Sequence, residues 1–215
     1  MKNLSPAEVE KGRVIVVAFD PGDTTGWSSH CAPKDLLMGG GTRETLKVMR
    51  RAMGEDGFGR EHVGWRLGQF GVGEGLDEDD QTDRMIQLVR QAWGVWEVDE
   101  NWDTFFVVLE DFILRRSEMS RSLLTPVRLI AKFEYAFRHK GIYVCRQSPG
   151  DAKNVVTDER LRSWNVYQTS SGVHSRDAQR HGILALRRWG SQPLLRRKTG
   201  VGRVSCRGVE VPLVG

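Results

Sequence analysis

The first residue in this chain that could do chemistry is Asp20, which stands where an apolar stretch ends. The residues before it, 13–19, contain four consecutive β-branched side chains and therefore predict a buried strand. Pro21 and Gly22 follow at once, so the strand must end there. A carboxylate at the mouth of a buried strand is held rigidly, at the sheet edge where catalytic groups gather. We therefore expect Asp20 to serve a functional site; the alternative is that it only anchors the Pro-Gly turn.

Two further groups of ionisable residues could complete that site. The run 105–109 predicts a second apolar strand, and it ends in Glu110 and Asp111. Successive strand residues point to opposite faces of a sheet, so only one of these acids can face the site. His174 and Asp177 lie three residues apart at the start of a predicted helix, which places both on one helix face. With the first carboxylate, these residues predict a metal site built from distant segments of the chain.

Each of these residues also has an ordinary structural role open to it. Asp177 could compensate the dipole of the helix that it opens, and His174 could cap that helix. The acid after the second strand that faces away from the site would be solvated or paired with an arginine. His181 lies one turn beyond Asp177, and we interpret it as a packed helix residue outside the site.

Charge is distributed unevenly along this chain of 215 residues, a length that suits one domain. Residues 54–83 carry nine acids against two basic residues, whereas 115–146 carry eight Lys or Arg against two acids. Residues 176–207 carry nine Lys or Arg against one acid. Positive blocks of this density favour a polyanion, and nucleic acid is the first candidate partner. Each block alone is equally compatible with a solvated surface.

The sequence shows no pattern typical of a secreted, membrane or zinc-ribbon protein. No apolar run approaches about 20 residues, and the start of the sequence does not resemble a signal peptide. The three cysteines lie far apart, without the C-x-x-C spacing of a zinc site, and their number is odd. We therefore expect a cytoplasmic protein with one domain over 13–190, flanked by flexible or peripheral tails at 1–12 and 191–215.

The order of predicted elements favours an α/β fold with a mixed central sheet. Strands are predicted at 13–19, 24–31, 62–70, 105–109 and 142–145. Helices are predicted at 43–52, 80–96, 125–140, 158–164 and 174–189. The third of these helices is predicted to begin with Thr125 as its N-cap and Pro126 at its first position. Three antiparallel strands followed by two parallel ones give a sheet whose faces carry the helices.

This order, with an acid on the first strand, an acid after the fourth, and a histidine and an acid opening the last helix, resembles the ribonuclease-H-like nuclease superfamily. Within it, residues 13–189 resemble RuvC-type Holliday junction resolvases. The motifs that carry the resemblance are Asp20-Pro21-Gly22, Thr25-Gly26-Trp27, Val107-Val108-Leu109-Glu110, and His174 with Asp177-Ala178. The family's second acid follows the apolar run directly, which favours Glu110 over Asp111. Members commonly have a carboxylate where His174 stands, and the acidic, Gly-rich stretch 54–80 is similar to the decorations of phage-encoded members.

The resemblance implies a Mg²⁺-dependent endonuclease that cleaves phosphodiester bonds in branched DNA, such as Holliday junctions, during DNA recombination and repair. It implies two Mg²⁺ ions per active site, with Mn²⁺ as a substitute. Two ions about 4 Å apart can activate a water and stabilise the leaving oxygen. Asp20 would bridge the ions, Glu110 would complete one site, and His174 with Asp177 would complete the other. Lys153 stands where the family often keeps a catalytic or phosphate-contacting lysine.

The implied partner is DNA, branched or four-way, and the implied assembly is a homodimer, since two active sites must cut a junction symmetrically. The location implied for a phage-encoded member is the cytoplasm of a bacterial host. Besides Lys153, the candidate DNA-binding residues are Arg115, Arg116, Arg128 and Lys132. The last two belong to a helix stripe with Tyr135 and His139, which could equally be a solvated helix face.

Three other functions are compatible with parts of this pattern. The same fold carries nucleases that act on flaps, single strands or RNA-containing hybrids with the same metal chemistry. A DNA-binding protein with a degenerate nuclease core would have lost an acid, and Asp20, Glu110 and Asp177 are all present. An actin- or hexokinase-like ATPase shares the sheet order but needs two such domains, for which 215 residues are too few.

Overall fold

The computed structural model describes most of the chain between its two ends. The described residues are 12–39, 41–53, 63–71, 74–100, 103–112, 121–137, 142–169 and 171–191, with the backbone alone at 52–53 and 121–123. The predicted tails lie almost entirely outside these ranges. Within them, no helix is long and apolar enough to cross a membrane.

The described strands form one mixed sheet in the order β3-β2-β1-β4-β5. Their bounds are β1 (Arg13–Asp20), β2 (Thr24–Pro33), β3 (Gly64–Gly71), β4 (Thr104–Glu110) and β5 (Tyr143–Gln147). Strand β2 pairs antiparallel with both β1 and β3, whereas β4 pairs parallel with both β1 and β5. The predicted α/β sheet, three antiparallel strands and then two parallel ones, is confirmed.

Helices cover both faces of this sheet. Their bounds are α1 (Lys34–Gly39), α2 (Gly41–Met53), α3 (Glu78–Val95), α4 (Arg121–Phe137), α5 (Pro149–Val155), α6 (Asp158–Ser163) and α7 (Val173–Ser191). Helices α3 and α4 pack on one face, and the apolar side chains of α7 pack on the other with those of α1, α2, α5 and α6. The predicted helices are therefore present, and α1 and α5 are additional.

The predicted start of α4 at Thr125-Pro126 is wrong. Helix α4 begins at Arg121, so Pro126 lies inside it, where its missing N–H costs one intrahelical hydrogen bond. The same pair of signals acts as a helix start elsewhere. Ser148 is the N-cap of α5, its Oγ accepts a hydrogen bond from the Asp151 N–H at 3.2 Å, and Pro149 takes the first helical position.

The alternation of side chains along the central strands decides which acids can meet. The even-numbered residues of β1 and β4, among them Val16 and Val108, pack on the α7 face. The odd-numbered residues, such as Val17 and Val107, pack against α3 and α4. Asp20 and Glu110 end these strands and continue the even series, so both carboxylates belong to the face that α7 covers.

Glycines allow α7 to lie very close to the sheet. A Cβ atom on Gly26 of β2 would stand 2.0 Å from the His174 carbonyl oxygen. A Cβ on Gly182 would stand 2.3 Å from the ring of His30, which is buried on β2. At Gly26 a larger residue would have to move one of the two backbones, and at Gly182 it would have to displace the buried His30 ring. The first turn of α7 is therefore held against the β1–β2 hairpin that carries Asp20.

Candidate active site

Asp20 and Glu110 end neighbouring parallel strands. Phe19 lies opposite Leu109 in the β1–β4 ladder, so the two carboxylates leave the sheet side by side at the same edge. The first turn of α7 reaches this edge, and His174 Nδ1 lies 2.8 Å from Asp20 Oδ2. The structure thus brings together two of the distant acids and the histidine that the sequence analysis proposed.

Glu110 has a partner that the sequence analysis left out. His181 is fully buried on α7, as interpreted, but its Nε2 lies 2.9 Å from Glu110 Oε2. Its Nδ1 lies 3.1 Å from Oε1 of Gln147, which pairs with Glu110 across the β4–β5 ladder. His181 therefore positions Glu110. Its spacing from His174 and Asp177 placed it on the same helix face, but that spacing alone does not identify Glu110 as its partner.

Asp177 is nearly buried and is held by two cations. Lys153 Nζ lies 3.1 Å from Asp177 Oδ2, and Arg180 donates from Nη1 to Asp177 Oδ1. Arg180 also donates from Nη2 to Asp158 and from Nε to the Val156 carbonyl oxygen at 3.1 Å. Sequence reasoning missed Arg180, although it stands three residues after Asp177 on the same helix. These contacts fix the carboxylate and hold Lys153 beside it.

The charges of these residues act on one another. The pKa of Asp20 is raised above its ordinary value, first by burial and then by the negative charges of Glu110 and Asp177, against the opposing effect of His174. For Lys153, burial lowers the pKa, but the hydrogen bond to Asp177 and the charges of the three carboxylates outweigh it and raise the pKa. The charges of Glu110 and Asp177 therefore act on Asp20, and the charges of all three acids act on Lys153.

The donor set of this site fits Mg²⁺ in its chemistry. Carboxylate oxygens are the ligands that Mg²⁺ prefers, and the mutual repulsion of three carboxylates favours a cation among them. As the side chains stand, Lys153 and Arg180 engage both oxygens of Asp177. Among the described residues, no three His, Cys, Asp or Glu side chains are arranged so that they could hold a metal ion. Binding of an ion would therefore require these side chains to rearrange.

The pairing of His174 with Asp20 predicts that the stability of the metal-free protein depends on pH. The hydrogen bond to Asp20, above all, raises the pKa of His174 above 6.5, and the charges of Asp20, Asp177 and Glu110 add to it, against the burial of the ring. Because the folded pKa is raised, the stabilisation from this pair is fully present below pH 6.5 and is lost as pH rises through the folded pKa. A titration of the His174 ring by NMR should give a pKa above 6.5.

The Asp20→Asn variant should show a lower His174 pKa, since the charge on its partner is gone. Asp111→Asn is the matched control and should leave the titration of His174 unchanged. A His174 pKa at or below its ordinary value in the wild-type protein would contradict the pairing.

The remaining predicted site residues lie elsewhere. Asp111 accepts a hydrogen bond from Arg146 Nη1 at 3.4 Å, which matches the alternative of an arginine pair. Arg128 lies 3.1 Å from Glu78, and Lys132 lies 2.7 Å from Asp79, so the acids at the start of α3 neutralise both cations. The stripe on α4 therefore has a structural role that competes with DNA contact. Arg115, Arg116 and His139 lie outside the described residues.

Comparison with known proteins identifies the fold. No family model and no curated protein sequence matches this chain. The chain is similar to the structure of T. thermophilus RuvC in complex with Holliday junction substrate, with a TM-score of 0.51 and 12% identity over 83% of this chain and 96% of that one. A second Thermus thermophilus RuvC structure has a TM-score of 0.45 and 12% identity over 87% of this chain and 97% of that one. The first likeness shows that this chain has the ribonuclease-H-like fold of RuvC.

Proposed function

We propose that this protein is a metal-dependent endonuclease that cleaves branched DNA, with the four-way junctions of DNA recombination and repair as its substrate. The observation that carries this proposal is that Asp20 and Glu110 end neighbouring parallel strands at one sheet edge, where His174, from the same helix turn as Asp177, contacts Asp20. The pKa of Asp20 responds to the other two carboxylates. The fold shared with a RuvC solved in complex with a Holliday junction substrate supports the choice of substrate.

The proposed metal ligands are Asp20, Glu110, Asp177 and His174. When bound there, Mg²⁺ would activate a water and stabilise the leaving oxygen of the phosphodiester. His174 is 45% exposed and hydrogen-bonded to Asp20, so its ring can hold a proton beside the carboxylates while remaining accessible to substrate. Lys153 is half-exposed beside Asp177, where its ammonium can contact a DNA phosphate.

The proposed assembly is a homodimer. A four-way junction has two strands to cut symmetrically, and a two-fold dimer supplies two equivalent active sites. Each chain would then contribute one complete set of carboxylates, since the described residues of one chain contain the whole candidate set.

A cleavage panel tests the proposed function. Four-way junction, flap, fork, duplex, single strand and RNA–DNA hybrid are incubated with the protein in Mg²⁺, in Mn²⁺, in Ca²⁺ and in excess chelator. We expect symmetric nicks in the junction with Mg²⁺ or Mn²⁺, binding without cleavage in Ca²⁺, and no cleavage in chelator.

Preference for flaps, single strands or hybrids would assign the same site to another nuclease of this fold. Absence of cleavage of every substrate, with DNA binding retained, would favour a degenerate nuclease core. Cleavage that persists in excess chelator would contradict the metal site.

A further inference from the structure

A cluster of two arginines and a tyrosine lies between α6 and the first turn of α7. The guanidinium carbon of Arg162 lies 4.4 Å from the centre of the Tyr167 ring, and that of Arg176 lies 5.5 Å from it. Arg162 is exposed, and Tyr167 and Arg176 are half-exposed. Both guanidinium groups are therefore close to one aromatic ring and accessible from solvent.

The two arginines are held by groups other than carboxylates. Arg176 donates from Nη1 to the Ser171 carbonyl oxygen at 2.6 Å, and the Tyr167 ring lies beside both guanidinium groups. Among the residues that the structure describes, neither arginine forms an ion pair in direct contact, although the charge of Arg162 helps to lower the pKa of Glu159 one turn earlier on α6. Arg128 and Arg146, by contrast, are each paired with an acid. Arg162 and Arg176 can therefore bind an anion without first breaking a salt bridge.

The cluster is attached to the helix that carries the candidate active site. Arg176 stands between His174 and Asp177 in the first turn of α7. The segment that carries Tyr167 is bound to the same helix, because Gln179 Nε2 donates to the Val166 carbonyl oxygen at 3.0 Å. The position of the arginines relative to the carboxylates is thus set by α7.

We propose that Arg162, Tyr167 and Arg176 form a phosphate-binding subsite that holds the DNA backbone beside the three carboxylates. This inference rests on the proposed function. Three carboxylates repel DNA, and Lys153 and Arg180 are already paired with Asp177, so positive charge that is free of an acid helps to bring a phosphate to them. A guanidinium matches phosphate with two parallel hydrogen bonds, and stacking on an aromatic ring limits the conformational freedom lost on binding.

The test compares two double variants that remove the same charge. Arg162→Gln/Arg176→Gln removes the unpaired cations, and Arg128→Gln/Lys132→Gln removes cations that are already neutralised by acids. Binding of each to a four-way junction is measured by fluorescence anisotropy in Ca²⁺ over a range of salt concentrations. Each lost phosphate contact should reduce the slope of log affinity against log salt by about 0.9, so we expect a reduction of about two for the first variant. The second variant should reduce the slope by less than the first, since each of its cations must leave an acid before it can bind a phosphate.

A single variant guards against loss of folding. Arg162 is exposed on α6, and Arg162→Gln alone should keep the wild-type melting temperature and reduce the slope by about one. Wild-type slopes in both Arg162→Gln and the Arg162/Arg176 double variant would overturn the inference. A reduced slope in the Arg128/Lys132 variant alone would also overturn it, since the phosphates would then follow α4. Wild-type cleavage is measured in parallel, and its absence would count against the proposed function rather than against this subsite.

Discussion

Replacing Asp20 with asparagine is expected to lower the rate of junction cleavage by about a thousandfold or more while DNA binding survives. Asp20 is the carboxylate whose pKa is raised by burial and by the charges of Glu110 and Asp177, and it is the proposed ligand that both metal ions would share. Metal ions at such centres supply several kcal/mol of transition-state stabilisation. A loss of about 4 kcal/mol corresponds to a factor of about a thousand in rate. Single-turnover cleavage with Mg²⁺ measures this, with anisotropy for binding.

The substitution is nearly isosteric, and the asparagine oxygen can still accept a hydrogen bond from His174. A loss of activity therefore reports the missing charge rather than a missing contact. Full nuclease activity in Asp20→Asn would contradict the proposed metal site. A loss of activity that came with loss of folding, seen as a lowered melting temperature, would leave Asp20 a structural residue only.

Replacing Gly26 with alanine is expected to displace α7 and to disable the site from a distance. The added Cβ would stand 2.0 Å from the His174 carbonyl oxygen and 2.7 Å from the Ser175 nitrogen. These are backbone atoms of a helix, so they cannot move without moving the turn to which they belong. Overpacking of this kind costs about 1–3 kcal/mol of unfolding free energy. A shift of about 1 Å in a catalytic group costs about a hundredfold in rate. Urea unfolding and single-turnover cleavage would show both effects.

Gly22→Ala is the matched control in the same hairpin. Its Cβ would meet nothing closer than the Thr24 carbonyl oxygen at 3.4 Å, an ordinary contact. We expect its unfolding free energy to stay within about 0.5 kcal/mol of the wild type, with wild-type cleavage. Equal behaviour of the two alanine variants would show that the close approach of α7 to the hairpin is not what holds His174 and Asp177 in place.

The sequence predicted the centre of the sheet because β1 and β4 are buried on both faces. Strand β1 is an almost continuous apolar run that stops at Asp20-Pro21, and such a run identifies a central strand without any partner being known.

The helix starts were harder to predict. Thr125-Pro126 and Ser148-Pro149 are the same local signal, but only the second caps a helix. In α4, burial of Leu129 and Phe133 against the sheet stabilises a helix that begins before its proline. Capping signals in the local sequence do not include this stabilisation by tertiary packing.

The residues that hold the carboxylates depend on how α7 lies on the sheet. The helical spacing of His174 and Asp177 predicted that they lie on one face of a helix. That spacing does not predict the contact of His181 with Glu110. It also does not predict that Arg180 joins Asp177 to Asp158. Those contacts follow from long-range packing. Gly26 was part of the sequence motif, yet its physical role, leaving space for the His174 backbone, requires knowledge of both elements at once.

The most direct test of this account compares Glu110→Gln with Asp111→Asn in Mg²⁺-dependent cleavage of a four-way junction. The two acids are neighbours in the chain, but Glu110 contacts His181 beside the site, whereas Asp111 pairs with Arg146 on a partly exposed surface. We expect Glu110→Gln to lose about a thousandfold in rate. Asp111→Asn should stay within about twofold of the wild type, since a surface ion pair contributes at most about 1 kcal/mol. Equal activities, or a larger loss for Asp111→Asn, would contradict the proposed site.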